Sequence, residues 1–163
     1  MILIALGANL PSRAGSPAAT LRAALNQLSQ NGAVPLAVSP FYETPAWPDP
    51  RDPEFVNAVA RIDTQLPPAQ LMELLHGVEA AFGRARNLRN APRTLDLDIL
   101  DYDGRVEQGP PILPHPRIAG RAFVLIPMRD VAPGWRDPVS GKSVDELIAA
   151  LPAEARDLIR AAS

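Results

Sequence analysis

The stretch Glu54-Phe55-Val56-Asn57-Ala58-Val59-Ala60-Arg61-Ile62-Asp63 reads as the clearer of the chain's strands. Val56, Ala58, Ala60 and Ile62 line one face; Phe55, Asn57, Val59 and Arg61 line the other. Upstream lies a loop stiffened by Pro45, Pro48, Pro50 and Pro53, and before it residues 36–43 read as extended, with Pro35 marking an entry or edge position. Further upstream, Ser16-Pro17 is a helix start and Leu21, Leu25 and Leu28 form one helical face. Asn31-Gly32 ends that helix. Residues 2–7 are apolar on both faces, as in a central strand. Downstream, Pro67-Pro68 opens a second helix with a core stripe of Leu71, Leu74, Leu75, Val78 and Phe82, stopped by Gly83. Residues 95–102 form another strand. The order βαββαβ predicts a ferredoxin-like α/β (α+β) fold with a mainly antiparallel sheet. A short helix near 121–130 and a helical stretch near 143–161 extend it, and no boundary divides 1–163 into two domains.

A chain of 163 residues with 47% apolar and 21% charged residues has enough material for a real core. Its net charge of −2 argues against a general nucleic-acid binder. The lack of cysteine excludes disulfides, thiolate zinc and a thiol nucleophile. The apolar opening Met1-Ile2-Leu3-Ile4-Ala5-Leu6 has no charged leader and reads as a strand, and no apolar run approaches a membrane span, so a cytoplasmic protein without membrane contact is expected. Nineteen prolines stand out, as do fifteen arginines against Lys142 alone. Base composition of the genome can set those totals but not their positions.

The sharpest chemical signal is a switch of charge within 20 residues. Arg84, Arg86, Arg89 and Arg93 come first, and Asp96, Asp98, Asp101 and Asp103 follow. Asp96 and Asp98, two apart on a strand, project to one face while Leu95, Leu97 and Ile99 take the other. Two close carboxylates repel unless a cation lies between them. Carboxylate oxygens suit Mg²⁺, and guanidinium forks suit phosphate oxygens, so the segment fits a Mg²⁺–nucleotide site. A strand end laced by surface Arg–Asp pairs fits the same residues. Phe55 and Asn57 share a strand face beside Thr44, Pro45 and Trp47. A ring beside an amide that both donates and accepts suits a flat heteroaromatic ligand; a Phe packed under the proline loop and an Asn tying that loop down is the structural alternative. His76 and Glu79, three apart, share a flank of the second helix.

Other signatures fail. Gly141-Lys142-Ser143 lacks the first glycine of a P-loop, because Arg136 stands there. No G-x-G-x-x-G follows the first strand, no G-x-S-x-G is present, and two distant histidines make a poor zinc set. RNA binding on such a sheet needs rows of exposed aromatics, and aromatics are 5% of the chain.

Ordered segments along nearly the whole chain then add up to a resemblance. They are Ala5-Leu6-Gly7-Ala8-Asn9-Leu10, Ser39-Pro40-Phe41-Tyr42-Glu43-Thr44-Pro45, Phe55-Val56-Asn57-Ala58-Val59, and Glu79 with Gly83-Arg84-Ala85-Arg86. Next comes the most specific of them, Pro92-Arg93-Thr94-Leu95-Asp96-Leu97-Asp98-Ile99-Leu100, followed by Leu113-Pro114-His115-Pro116-Arg117 and Arg121-Ala122-Phe123-Val124-Leu125. The chain resembles the 6-hydroxymethyl-7,8-dihydropterin pyrophosphokinases of folate biosynthesis. The resemblance implies transfer of pyrophosphate from ATP to a hydroxymethyldihydropterin, with release of AMP. It implies that Asp96 and Asp98 hold two Mg²⁺ ions and act in catalysis with Arg84 and Arg93. By the same resemblance His76, Glu79, Arg84, Arg86, Arg93, Ile99, His115 and Arg121 surround ATP. Thr44, Pro45, Phe55, Asn57 and Phe123 form the pterin pocket, with the ring between Phe55 and Phe123. The expected partners are these small molecules, and the expected state is a monomer or weak homodimer. The likeness departs at Asn90-Ala91, where family members often carry Trp-Gly, and in the proline stretch 45–53. A non-catalytic paralogue on the same frame is the competing expectation.

Overall fold

The elements follow from local chemistry and run in the order β1 (Ile2–Ala8), α1 (Pro17–Gln30), β2 (Ala33–Val38), β3 (Tyr42–Thr44), β4 (Phe55–Thr64), α2 (Pro68–Ala81), β5 (Asp96–Tyr102), β6 (Glu107–Gln108), β7 (Ile112–Leu113), α3 (Ala122–Val131), α4 (Val144–Ala149), α5 (Ala153–Asp157) and β8 (Arg160–Ala161). The structure is a computed structural model and describes residues 1–46, 49–83 and 94–162. Ser16 caps α1 from extended backbone, its hydroxyl accepting from the Ala19 N–H at 3.2 Å. Gly32 follows the helix at φ +92° and Gly83 follows α2 at φ +87°, a region that favours glycine.

The main sheet has the order β5-β1-β4-β3-β8, with β2 also paired to β4, and every pairing is antiparallel. That is the ferredoxin-like arrangement, with β1 and β4 central. The extended segment expected over 36–43 proves to be two strands on one edge of β4. β2 pairs with residues 60–64 of β4 and β3 with residues 55–57. Between them the edge is held at Ser39, whose N–H donates to the Val59 carbonyl and whose hydroxyl accepts from the Val59 N–H. Pro40, with no N–H to give, interrupts the ladder there.

Both faces of the sheet are covered, but unequally. Ile2, Ile4, Leu6, Ala58, Ala60, Leu97 and Ile99 pack with Leu21 and Leu28 of α1 and Leu71, Leu75 and Val78 of α2. On the opposite face Leu3, Val59 and Leu100 pack with Leu125 and Met128 of α3, Trp135, and Leu147 of α4. Successive β1 residues therefore feed two different cores, which explains why residues 2–7 carry no polar alternation. The second core stops short. Beyond Leu3 and Val59, the same face carries Ala5, Gly7, Phe55, Asn57, Asp96 and Asp98, and these line a cavity.

The helical stretch expected near 143–161 is broken. Ser143 caps α4 by accepting from the Glu146 N–H at 3.1 Å, and Pro152 stands between α4 and α5. After Asp157 the chain turns back as β8, pairing Arg160 and Ala161 with Glu43 and Tyr42. The free edge of β3 offers unpaired backbone groups, and the tail satisfies them.

Candidate active site

One row of residues crosses the sheet beneath the cavity: Tyr42 opposite Asn57, Asn57 opposite Gly7, and Gly7 opposite Asp96. One step along, Asp98 faces Ala5. Glycine and alanine at the centre keep the floor low between the carboxylates and the amide. A Cβ on Gly7 would lie 2.8 Å from Asn57 Oδ1, so the position is closed to any side chain unless Asn57 moves. Asn57 is 7% exposed, and its Nδ2 donates to Thr44 Oγ1 at 3.0 Å. Asn57 thus ties down the Thr44 strand, and Asn57, Phe55, Thr44 and Pro45 all line the cavity.

That cavity, of about 640 Å³, is completed by Leu100, His115, Arg117, Arg121, Phe123 and Val124. Arg121 precedes the first turn of α3, and its guanidinium lies 5.4 Å from the centre of the Phe123 ring. A second cavity, of about 460 Å³, lies on the other side of β5. His76 and Ile99 line it, as do Met72, Leu97 and the residues from Gln108 to Ile112. Asp98 and His115 line both cavities and form their common wall.

His115 is held at this junction by backbone. Its N–H donates to the Leu100 carbonyl at 2.9 Å, and its Nδ1 accepts from the Arg117 N–H at 3.1 Å. That bond assigns the ring proton to Nε2. Burial, and then the charges of Arg121 and Arg117, push its pKa down to about 4 against the opposing pull of Asp96. At neutral pH the ring is an uncharged donor.

The four aspartates separate by task. Asp96 and Asp98 are half-buried in the cavity wall. Asp101 is buried at 4% exposure, accepting from Trp135 Nε1 at 2.8 Å and the Gly104 N–H at 3.0 Å. Asp103 pairs with the amino group of Met1. Among the described residues no three His, Cys, Asp or Glu side chains gather into a metal cage. Two half-buried carboxylates on one strand face nevertheless fit Mg²⁺, which commonly takes one or two carboxylates and completes its shell with phosphate oxygens and water. Such a donor set would suit a metal that brings further oxygen ligands with it.

Spacing put Glu79 with His76 on one flank of α2, and the family resemblance implied a place beside the nucleotide. The structure buries Glu79 at 1% exposure, with Oε2 accepting from the Leu97 N–H at 2.8 Å. It lines neither cavity. Position 79 lies four residues after the buried Leu75 and so extends the helix face turned toward the sheet, a spacing the sequence already contained. Arg84, Arg86, Arg89, Arg93 and Trp47 lie outside the described residues. The sequence reading gave no role to Arg117 or Gly7, although both stand within the quoted segments. Nor did it assign the second cavity's lining from Gln108 to Ile112, where the cluster of prolines was the available signal.

Two cavities that share Asp98 and His115 on a ferredoxin-like sheet fit an α/β protein that binds two small molecules side by side. The pattern of the family described as 7,8-dihydro-6-hydroxymethylpterin-pyrophosphokinase matches residues 3–133, and the chain belongs to that family. It is 41% identical over 155 residues to 2-amino-4-hydroxy-6-hydroxymethyldihydropteridine pyrophosphokinase of Pseudomonas aeruginosa, covering 94% of this chain and 93% of that one. The protein of the same description from Methylorubrum extorquens is 39% identical over 150 residues, covering 91% of each. The fold also matches the crystal structure of wild-type Plasmodium falciparum HPPK-DHPS, with a TM-score of 0.66 at 12% identity, over 91% of this chain and 44% of that one. The chain is an ATP-dependent pyrophosphokinase of folate biosynthesis.

Proposed function

We propose that the chain transfers pyrophosphate from ATP to the hydroxymethyl group of 6-hydroxymethyl-7,8-dihydropterin. The hydroxyl oxygen bonds to the β-phosphorus as the link from that phosphorus to the α–β bridging oxygen breaks. AMP leaves with the bridging oxygen, and the hydroxyl proton passes to solvent. The observation that carries this reading is the shared wall at Asp98 and His115, since a group transferred between two substrates must cross from one pocket to the other.

The larger cavity takes the pterin. Phe55 and Phe123 offer ring faces, and the Asn57 amide, aligned by Thr44, offers an edge to hydrogen-bond. The smaller cavity takes the adenine nucleotide against Ile99 and His76. Asp96 and Asp98 would hold two Mg²⁺ ions; when bound with ATP, these supply charge neutralisation across the phosphates. Neutral His115 offers its Nε2 proton to a phosphate oxygen without requiring a cation to be desolvated. Arg121 supplies fixed positive charge at the pocket rim. By likeness to the family, Arg84, Arg86 and Arg93 add triphosphate contacts, with Arg84 and Arg93 joining the two aspartates in catalysis. The proposed unit is a single domain over 1–163, monomeric or weakly dimeric, working in the cytoplasm where ATP is supplied.

Incubation with ATP, Mg²⁺ and hydroxymethyldihydropterin should release AMP. Asp96→Ala and Asp98→Ala should each lower that rate at least about a thousandfold, with circular dichroism unchanged. An active variant lacking both carboxylates would refute the metal assignment.

A further inference from the structure

We propose that Glu79 is a positioning residue for the metal-binding pair, acting through the backbone of β5 and not by touching the nucleotide. The inference rests on the reading of Asp96 and Asp98 as Mg²⁺ ligands. Among the described residues β5 is an edge strand whose one sheet neighbour is β1. Its outward N–H groups therefore have no strand among the described residues to bond, and a buried one must find another acceptor. Leu97 is 1% exposed and sits between the two aspartates. Glu79, reaching from α2, supplies the missing acceptor at 2.8 Å and is itself 1% exposed. Three residues on, the His115 N–H bonds the Leu100 carbonyl. The edge of β5 is thus pinned on both sides of Asp98, once from α2 and once from the loop after β7.

This matters for the carboxylates because Asp96, Leu97 and Asp98 share one stretch of backbone. If the strand edge shifted or frayed at Leu97, both carboxylates would move together. Partners that orient metal ligands without touching the metal are commonly worth about 10–100-fold in metal affinity. The helix face argues the same way. Glu79 continues the line of Leu71 and Leu75 into the core between α2 and the sheet, a place where a carboxylate persists only if its oxygens are bonded.

The test uses Glu79→Gln, which keeps an acceptor oxygen, and Glu79→Met, which fills the space without one and guards against a cavity effect. Two quantities are read. The first is hydrogen exchange of the Leu97 amide in protein without ligand. The second is the Mg²⁺ concentration giving half-maximal binding of a non-hydrolysable ATP analogue by calorimetry. Glu79→Met should speed Leu97 exchange at least about tenfold and raise the Mg²⁺ midpoint at least about tenfold, whereas Glu79→Gln should stay within about threefold of the parent in both. Asp98→Ala serves as control. If it leaves the Mg²⁺ midpoint unchanged, the metal reading fails and the inference with it, while the Leu97 exchange result still reports the anchor. If Asp98→Ala raises the midpoint and Glu79→Met does not, the positioning role is overturned. It is equally overturned if Glu79→Gln is as deficient as Glu79→Met, since that would make the charge, and not the acceptor, the active property.

Discussion

On the proposed function His115 would meet two demands that compete in water: closeness to phosphates, and too little charge to hold them too tightly. Burial and two arginines resolve the competition by keeping the ring neutral, with a pKa near 4. The consequence for stability has a definite sign. An unfolded histidine takes up a proton as the pH falls through about 6.5, whereas folded His115 does so only at about 4. Between those values the unfolded state binds more protons, so His115 contributes stability above about 6.5 that is lost as the pH falls toward 4. An NMR titration of the His115 ring in ligand-free protein should give a midpoint near 4; one near 6.5 would contradict the buried, arginine-flanked environment. The choice between a surface ion-pair lattice and a ligand site for the aspartates was also open at this scale. Spacing set Asp96 and Asp98 apart as a pair on one strand face, and these two line the cavity, whereas Asp101 is bonded to Trp135 and Asp103 to Met1.

At the scale of elements, β5 is the part on which everything else converges. It is fastened to β1 along its inner edge, to α2 through Glu79, to His115 through Leu100, and to the second core through Asp101 and Trp135. Replacing Trp135 by Phe keeps most of the ring but removes the indole N–H that a buried carboxylate oxygen uses. The expected cost is about 2 kcal/mol, a fall in melting temperature of roughly 4–8 °C for a chain of this length. Differential scanning calorimetry would measure it, and an unchanged melting temperature would show that Asp101 finds another donor. The elements themselves were largely legible beforehand. Ser16, Gly32, Gly83 and the alternation over 55–64 each act through their immediate neighbours, so their consequences can be read locally. The division of 36–43 into β2 and β3 was not, because the break is held by hydrogen bonds between Ser39 and Val59 across the sheet.

Taken whole, the molecule places two pockets on opposite sides of one strand, with Asp98 and His115 facing both. Damage remote from that wall should therefore divide cleanly. Phe123→Ala should weaken binding of a pterin analogue about tenfold or more and change binding of a Mg²⁺–ATP analogue less than threefold; His76→Ala should do the reverse to a smaller degree. Calorimetry with each ligand alone would decide, and equal losses for both ligands from either substitution would contradict the assignment of one pocket to each substrate.

The sequence by itself determined the element order, the paired carboxylates on one strand face, the ring and amide beside Thr44, and membership of a family whose segments recur in order. All of these depend on residues near one another along the chain, where backbone periodicity and capping chemistry act. Only the tertiary structure decided that Glu79 holds a strand and lines neither pocket. It also decided that Gly7 is the floor between Asp96 and Asn57, and that Asp98 and His115 stand between two pockets. Those outcomes depend on groups brought together from distant parts of the chain, and burial then chooses which of several chemically similar side chains meets water, backbone or ligand.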